Sequence, residues 1–125
     1  MSFESSTVAR TPTLDRPLFV EPNEVFEDAH DLLGRKWHLR IVYYLLTDGP
    51  MGFSALKDAV DGVSSKMLSE SLSSLESQGL LVRDIVNEQP VRVEYSLTER
   101  GSALGPTVES LVRWETDYGL ERGAE

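Results

Sequence analysis

Cysteine is absent from all 125 residues. That excludes a disulfide framework and thiol redox chemistry. Histidine is scarce: His30 and His38 are eight residues apart, on helical segments separated by Gly34. With no cysteine and no carboxylate at ligand spacing, they argue against a metal centre. No run approaches the roughly 18 apolar residues that span a membrane. The start, MSFESSTVARTPTLDRP, has neither the basic region nor the apolar block of a signal peptide. A cytoplasmic protein with no membrane partner is expected. A glycine-rich phosphate loop is missing, as is any defensible Ser/His/Asp spacing, so neither an enzyme nor a cofactor is expected.

Lysine is also short, three residues against nine arginines, and the net charge is −9. Phosphate binding normally needs a basic patch, so this balance at first opposes a nucleic-acid partner. The distribution softens it. Residues 1–33 carry −5, residues 34–100 only −1, and residues 101–125 −3. The acid sits at the ends. An acidic, lysine-poor surface fits a host with a salty cytoplasm, where excess charge keeps a protein soluble. At about 1 M salt the Debye length is roughly 3 Å, so acidic ends would scarcely repel DNA.

What is present reads as one domain. Residues 1–23, with Pro12, Pro17 and Pro22, suggest an irregular arm. A single domain over 24–121 and a tail at 122–125 follow. From Glu24, Val25, Phe26, Ala29, Leu32 and Leu33 recur at helical spacing. A second helix places Trp37, Ile41, Tyr44 and Leu45 on one stripe and stops at Asp48-Gly49-Pro50. A short helix over 52–60 turns Phe53, Leu56 and Val60 inward. After the Asp61-Gly62 turn, Ser64 or Ser65 caps the next helix. Its expected buried stripe is Met67, Leu68, Leu72 and Leu75, and Gly79 closes it. Two strand-like runs, LLVRDIV and VRVEYSL, flank NEQP as a hairpin. Thr98 caps a last helix, whose start Pro106 bends or delays. A short helix, a tight turn, a helix of about four turns and then a hairpin make a winged helix-turn-helix. The fold class is mainly α (α+β), with a two-stranded wing.

Four segments stand in order: LLGRKWHLRIVYYL, FSALKDAVDGVSSKMLSESLSSLESQGLLVR, PVRVEYSLTERG, and a leucine-rich helix ending in Trp114. Together they resemble the HxlR-type family of winged helix-turn-helix transcription regulators, from about Ala29 to Trp114. The resemblance implies a DNA-binding homodimer whose N- and C-terminal helices pair across the interface. It nominates Phe26, Leu33, Leu104, Val108, Leu111, Trp114 and Tyr118 as interface residues. Met51-Gly52 departs from the family, where an arginine commonly precedes the phenylalanine that opens the motif. Many members also carry a cysteine near the first helix, so thiol sensing does not transfer to this chain.

The candidate DNA contacts lie on the second helix of the motif. With its leucines inward, Ser65, Lys66, Ser69, Glu70 and Ser73 face out, and Ser64 stands at the start. A plain solvated helix would favour residues of better helix propensity. Serine suits close approach, being small and both donor and acceptor. N-terminal residues of a recognition helix reach base edges. Glu70 reads equally well as a cytosine contact and as a solvated carboxylate. Lys57 is a backbone-contact candidate. Arg83, Asn87 and Arg92 are wing candidates, the alternative for the arginines being cross-strand pairing with Asp84, Glu88 or Glu94. Arg35, Lys36 and Arg40 form a basic cluster. Near Trp37, Tyr43 and Tyr44, a small-molecule effector site and an apolar helix interface look the same in sequence. Two functions therefore stand: a dimeric regulator on an inverted-repeat operator, and a winged-helix interaction module that has lost DNA binding.

Overall fold

Proline at position 22 begins the first helix instead of closing the arm. Glu21 is the reason: its Oε1 accepts from the N–H groups of Asn23 and Glu24 at 2.9 and 3.3 Å. Pro22 fills the first helical position, where a missing N–H costs nothing. The computed structural model describes residues 21–120, so the proposed arm is mostly outside the described residues and the tail wholly so. Two compact units divide the chain, one ending at Asp31 and the other starting at Leu32. Helix α1 (Pro22–Leu33) runs through that division.

The second unit is built around α2 (His38–Asp48), which contacts α3 (Phe53–Ala59), α4 (Ser65–Ser77) and α6 (Gly105–Tyr118). Ile41 and Leu45 of α2 are buried as the stripe predicts; Val42, outside the stripe, is buried with them, and Tyr44 is only half-buried. Ile41, Val42 and Leu45 join Leu56, Val60, Leu68, Leu72, Leu75 and Val108 in one apolar cluster. Trp37 is in that cluster too, so it is a core residue.

The wing is the antiparallel hairpin β1 (Leu81–Glu88) and β2 (Val91–Leu97). Leu81 pairs with Leu97 and Ile85 with Val93. Between Ile85 and Asn87 the register slips, and beyond it Asn87 pairs with Arg92. Met51 adds a short third rung: it donates to the Tyr95 carbonyl at 3.0 Å and accepts from the Tyr95 N–H at 2.8 Å. The backbone of Met51, just before α3, thus fixes the wing to the helix-turn-helix.

A second lock joins the end of α4 to the exit of the wing. Gly79 closes α4 in the left-handed region at φ 75°. Its N–H donates to the Glu76 carbonyl and that of Leu80 to Leu75, each at 3.0 Å, which satisfies two orphan carbonyls of the last turn. Thr98 Oγ1 donates to the Gly79 carbonyl at 2.6 Å, and Thr98 N–H to that of Leu80 at 3.0 Å. Arg100 Nε donates to the Gln78 carbonyl at 3.1 Å. Three successive carbonyls are held.

The closing helix differs from expectation. Thr98 caps α5 (Glu99–Ser102), accepting from Gly101 N–H at 3.0 Å, but α5 ends there and α6 starts afresh at Gly105. Pro106 is the cause. It lacks the N–H that would continue the ladder, and its ring would meet the preceding turn. It is tolerated in the first turn of α6. Gly101 lets α5 lie against Leu80, just before β1, and Leu97 of β2: an added Cβ would fall 2.0 Å from the Leu80 carbonyl oxygen. That atom is backbone and cannot rotate away. Gly101→Ala is therefore expected to lower stability by about 2 kcal/mol. Urea unfolding checks this.

Candidate nucleic-acid interface

Helix α4 starts at an extended Ser64, whose Oγ accepts from Met67 N–H at 3.0 Å. The cap is thus Ser64, and its oxygen is engaged in starting the helix. Ser64→Ala should cost about 1 kcal/mol in urea unfolding, the usual worth of such a cap.

The buried stripe of α4 is Leu68, Ser71, Leu72 and Leu75. This corrects one expectation. Met67 is 39 % exposed, whereas Ser71 is 5 % exposed. At ~100° per residue, positions 68, 71, 72 and 75 form a tighter sector than one including 67. A serine fits where α4 lies close to its neighbours. Sequence periodicity ranked Met67 by hydrophobicity and so missed it.

Outside that stripe, Ser65, Lys66, Ser69, Glu70 and Ser73 are all exposed, as expected. Toward the C-terminal end the serines turn on their own helix. Ser77 Oγ donates to the Ser73 carbonyl at 3.4 Å, and Ser74 Oγ accepts from Gln78 Nε2 at 3.1 Å. The hydroxyls of Ser65 and Ser69 have no protein partner among the described residues. The first two turns thus present free, small hydrogen-bonding groups with one cation, Lys66.

Lys57 on α3 is exposed, as are Arg83, Asn87 and Arg92 on the wing. The register settles how the wing arginines stand. Arg83 lies opposite Tyr95 and Arg92 opposite Asn87, so neither faces an acid across the ladder. The acids face each other, Asp84 opposite Glu94. No acidic side chain among the described residues lies within ion-pair distance of Lys57, Lys66, Arg83 or Arg92. The two arginines do not act together, however. Alternation along β2 puts Arg92 on the face away from Val93, Tyr95 and Leu97. Arg83 shares its face with Tyr95, which packs against the core.

Among the nominated interface residues, Val108 lies in the chain's own core and Leu104 packs against it. The exposed large apolar groups of these two helices are Val25, Phe26 (69 %) and Leu33 on α1, and Leu111, Val112, Trp114 (58 %) and Tyr118 (76 %) on α6. Val112 escaped the periodic pattern because it flanks the stripe. Lys36 Nζ and Arg40 Cζ both stand over the Trp37 ring, 4.7 and 5.1 Å from its centroid. Among the described residues, no cluster of three or more His, Asp or Glu is placed to hold a metal.

Known proteins share this arrangement. The family model for the HxlR-like helix-turn-helix matches residues 32–122. The HTH-type transcriptional regulator YvaP of Bacillus subtilis (strain 168) is 42 % identical over 93 residues, covering 74 % of this chain and 85 % of YvaP. The solved structure of the reduced transcriptional regulator YodB from B. subtilis superposes with a TM-score of 0.65 at 34 % identity, covering 75 % of this chain and 91 % of that one. A MarR-family transcriptional regulator from Porphyromonas gingivalis W83 gives a TM-score of 0.69 at 29 % identity, covering 82 % and 99 %. With its wing, its motif and 91 matched residues from 32 to 122, this chain belongs to the HxlR-like helix-turn-helix family.

Proposed function

We propose that the protein works as a cytoplasmic homodimer on an inverted-repeat operator, each α4 lying in a major groove. Family membership makes it a DNA-binding transcriptional regulator and not an enzyme. One observation carries the placement of α4: Ser65 and Ser69 are exposed on its first two turns with their hydroxyls uncommitted to protein. Small donors and acceptors at the start of a recognition helix can meet base edges and phosphates. Lys66, Lys57 and Arg92 supply the phosphate contacts. The dimer is supported by the exposed apolar side chains of α1 and α6, since large apolar patches mark association surfaces. No helix among the described residues is long and apolar enough to cross a membrane. A small-molecule effector acts on the same dimer.

A second reading rests on the charge of −9: an interaction module that no longer binds DNA. The two separate in one experiment. The full chain is mixed with a random duplex library over a range of salt, and the enriched sequence is titrated by anisotropy. Enrichment of an inverted repeat with half-sites about one turn apart is expected. Lys66→Glu combined with Arg92→Glu should weaken binding and flatten the salt slope by about two counterions per protomer, while sedimentation still shows the dimer. No enrichment at any salt favours the interaction module.

A further inference from the structure

We infer that Lys36 and Arg40, stacked on Trp37, form a clamp for DNA backbone phosphates beside the start of α4. The inference rests on the regulatory reading above and extends its interface to the start of α2. Neither residue belongs to α3, α4 or the wing, where the other candidate contacts lie.

Trp37 is the fixed part of the clamp. It is buried and belongs to the core cluster. The tip of its ring lies against Gly62: a Cβ added there would stand 3.8 Å from Cη2 of the indole. Gly62 is in the turn that leads through Val63 into Ser64, the cap of α4. Lys36 Nζ and Arg40 Cζ stand 4.7 and 5.1 Å from the centroid of the same ring. Two cations and the turn that begins the reading helix thus share one indole. Both side chains are exposed. Among the described residues, no acid lies within ion-pair distance of either.

Two like charges over one ring repel each other. The π face offsets part of that repulsion and restrains two long side chains. Phosphodiester oxygens held between them would offset the rest, with less side-chain freedom left to lose on binding. Arginine supplies a fork and lysine a point charge, and both suit phosphate. Duplex DNA is the source of phosphate that the fold brings there, because a helix in the major groove has a backbone strand on each side. The wing leaves the far end of α4, beyond Gly79, whereas the clamp stands at its start. Wing and clamp would therefore hold backbone at opposite ends of the reading helix. Asp61 lies with Arg40 and Tyr43 on the wall of one cleft and opposes an anion there. Two cations are needed to leave the place positive. Backbone contacts carry no base information, so the clamp adds affinity and not sequence preference.

The test uses the full chain and the enriched operator, titrated by anisotropy over a range of salt. Lys36→Gln combined with Arg40→Gln is expected to weaken binding at least about tenfold at low salt. It should also flatten the salt slope by about two counterions per protomer. A library selected afresh with this double variant should return the same operator, and circular dichroism should show an intact fold. Single methylphosphonate linkages, which remove one phosphate charge without changing a base, are then walked along each half-site. At one or two linkages, neutralisation should weaken the unsubstituted chain and leave the double variant nearly unaffected. The unsubstituted chain carries half of that comparison, so a folding defect in the variant does not imitate it. Equal salt slopes, or the same methylphosphonate profile for both chains, overturns the clamp and leaves the regulatory reading standing. A lower urea midpoint with unchanged DNA affinity assigns the two cations to shielding Trp37 from water, and overturns the clamp too. A changed operator means that the pair reads bases, which overturns the backbone assignment. A chain that enriches no DNA at any salt overturns both the clamp and the reading on which it rests.

Discussion

Ser69→Trp is expected to reduce operator affinity by at least about a hundredfold and to leave folding almost untouched. Ser69 is exposed, makes no side-chain hydrogen bond to protein among the described residues, and lies outside the leucine stripe. A surface change of this kind normally moves stability by less than about 0.5 kcal/mol. In a major groove the same indole has no room. It would lift the helix away from the base edges and cost every short-range contact along its first two turns, each worth about 1–3 kcal/mol. Anisotropy with the enriched operator reads the first effect, and urea unfolding the second. Unchanged affinity would mean that α4 faces something other than DNA.

The back of the same helix should give the opposite result. Leu68 is one residue away and has no exposed surface. It belongs to the cluster with Ile41, Leu56, Leu72 and Leu75. Truncation to alanine removes buried methyl groups and leaves a cavity that neighbouring helices fill only in part. Leu68→Ala is therefore expected to lower stability by about 3 kcal/mol. For a domain of this size that is a large share of the total. Where the variant is still folded, DNA affinity should change much less than for Ser69→Trp. Urea midpoints measured beside the operator titration check both halves.

Much of this was legible in the sequence, and the exceptions have physical reasons. The order of helices, the turn at Asp61-Gly62, the closing Gly79 and the two strands follow from periodicity and from residues with restricted backbone choices. The stripe of α4 was misread at one position because hydropathy ranks methionine above serine, whereas packing distance at Ser71 ranks them the other way. The split between α5 and α6 turned on Pro106. Its effect was visible in sequence, but its outcome depends on Thr98, which holds α5 against the end of α4. The opposite facing of Arg83 and Arg92 was not legible. It comes from the pairing of Arg83 with Tyr95 together with alternation along β2, and no local residue pattern announces that register. The lock on Gly101 and the cleft beside Tyr43 are long-range features, made by residues far apart in the chain. The serine face of α4 was legible in full, since it needs only the helical period.

The missing cysteine that closes off redox chemistry opens a direct test of where α4 lies. In this chain Ser69→Cys creates a unique thiol, which can carry an iron–EDTA group that cleaves nearby DNA. On the enriched operator, the expected result is two clusters of cuts, one in each half-site, related by the two-fold axis and about one helical turn apart. The same label at Glu109→Cys on α6 provides the comparison. Cleavage from Ser69→Cys that is no stronger than from Glu109→Cys, or that is spread evenly along the duplex, would contradict the placement of α4 in the major groove.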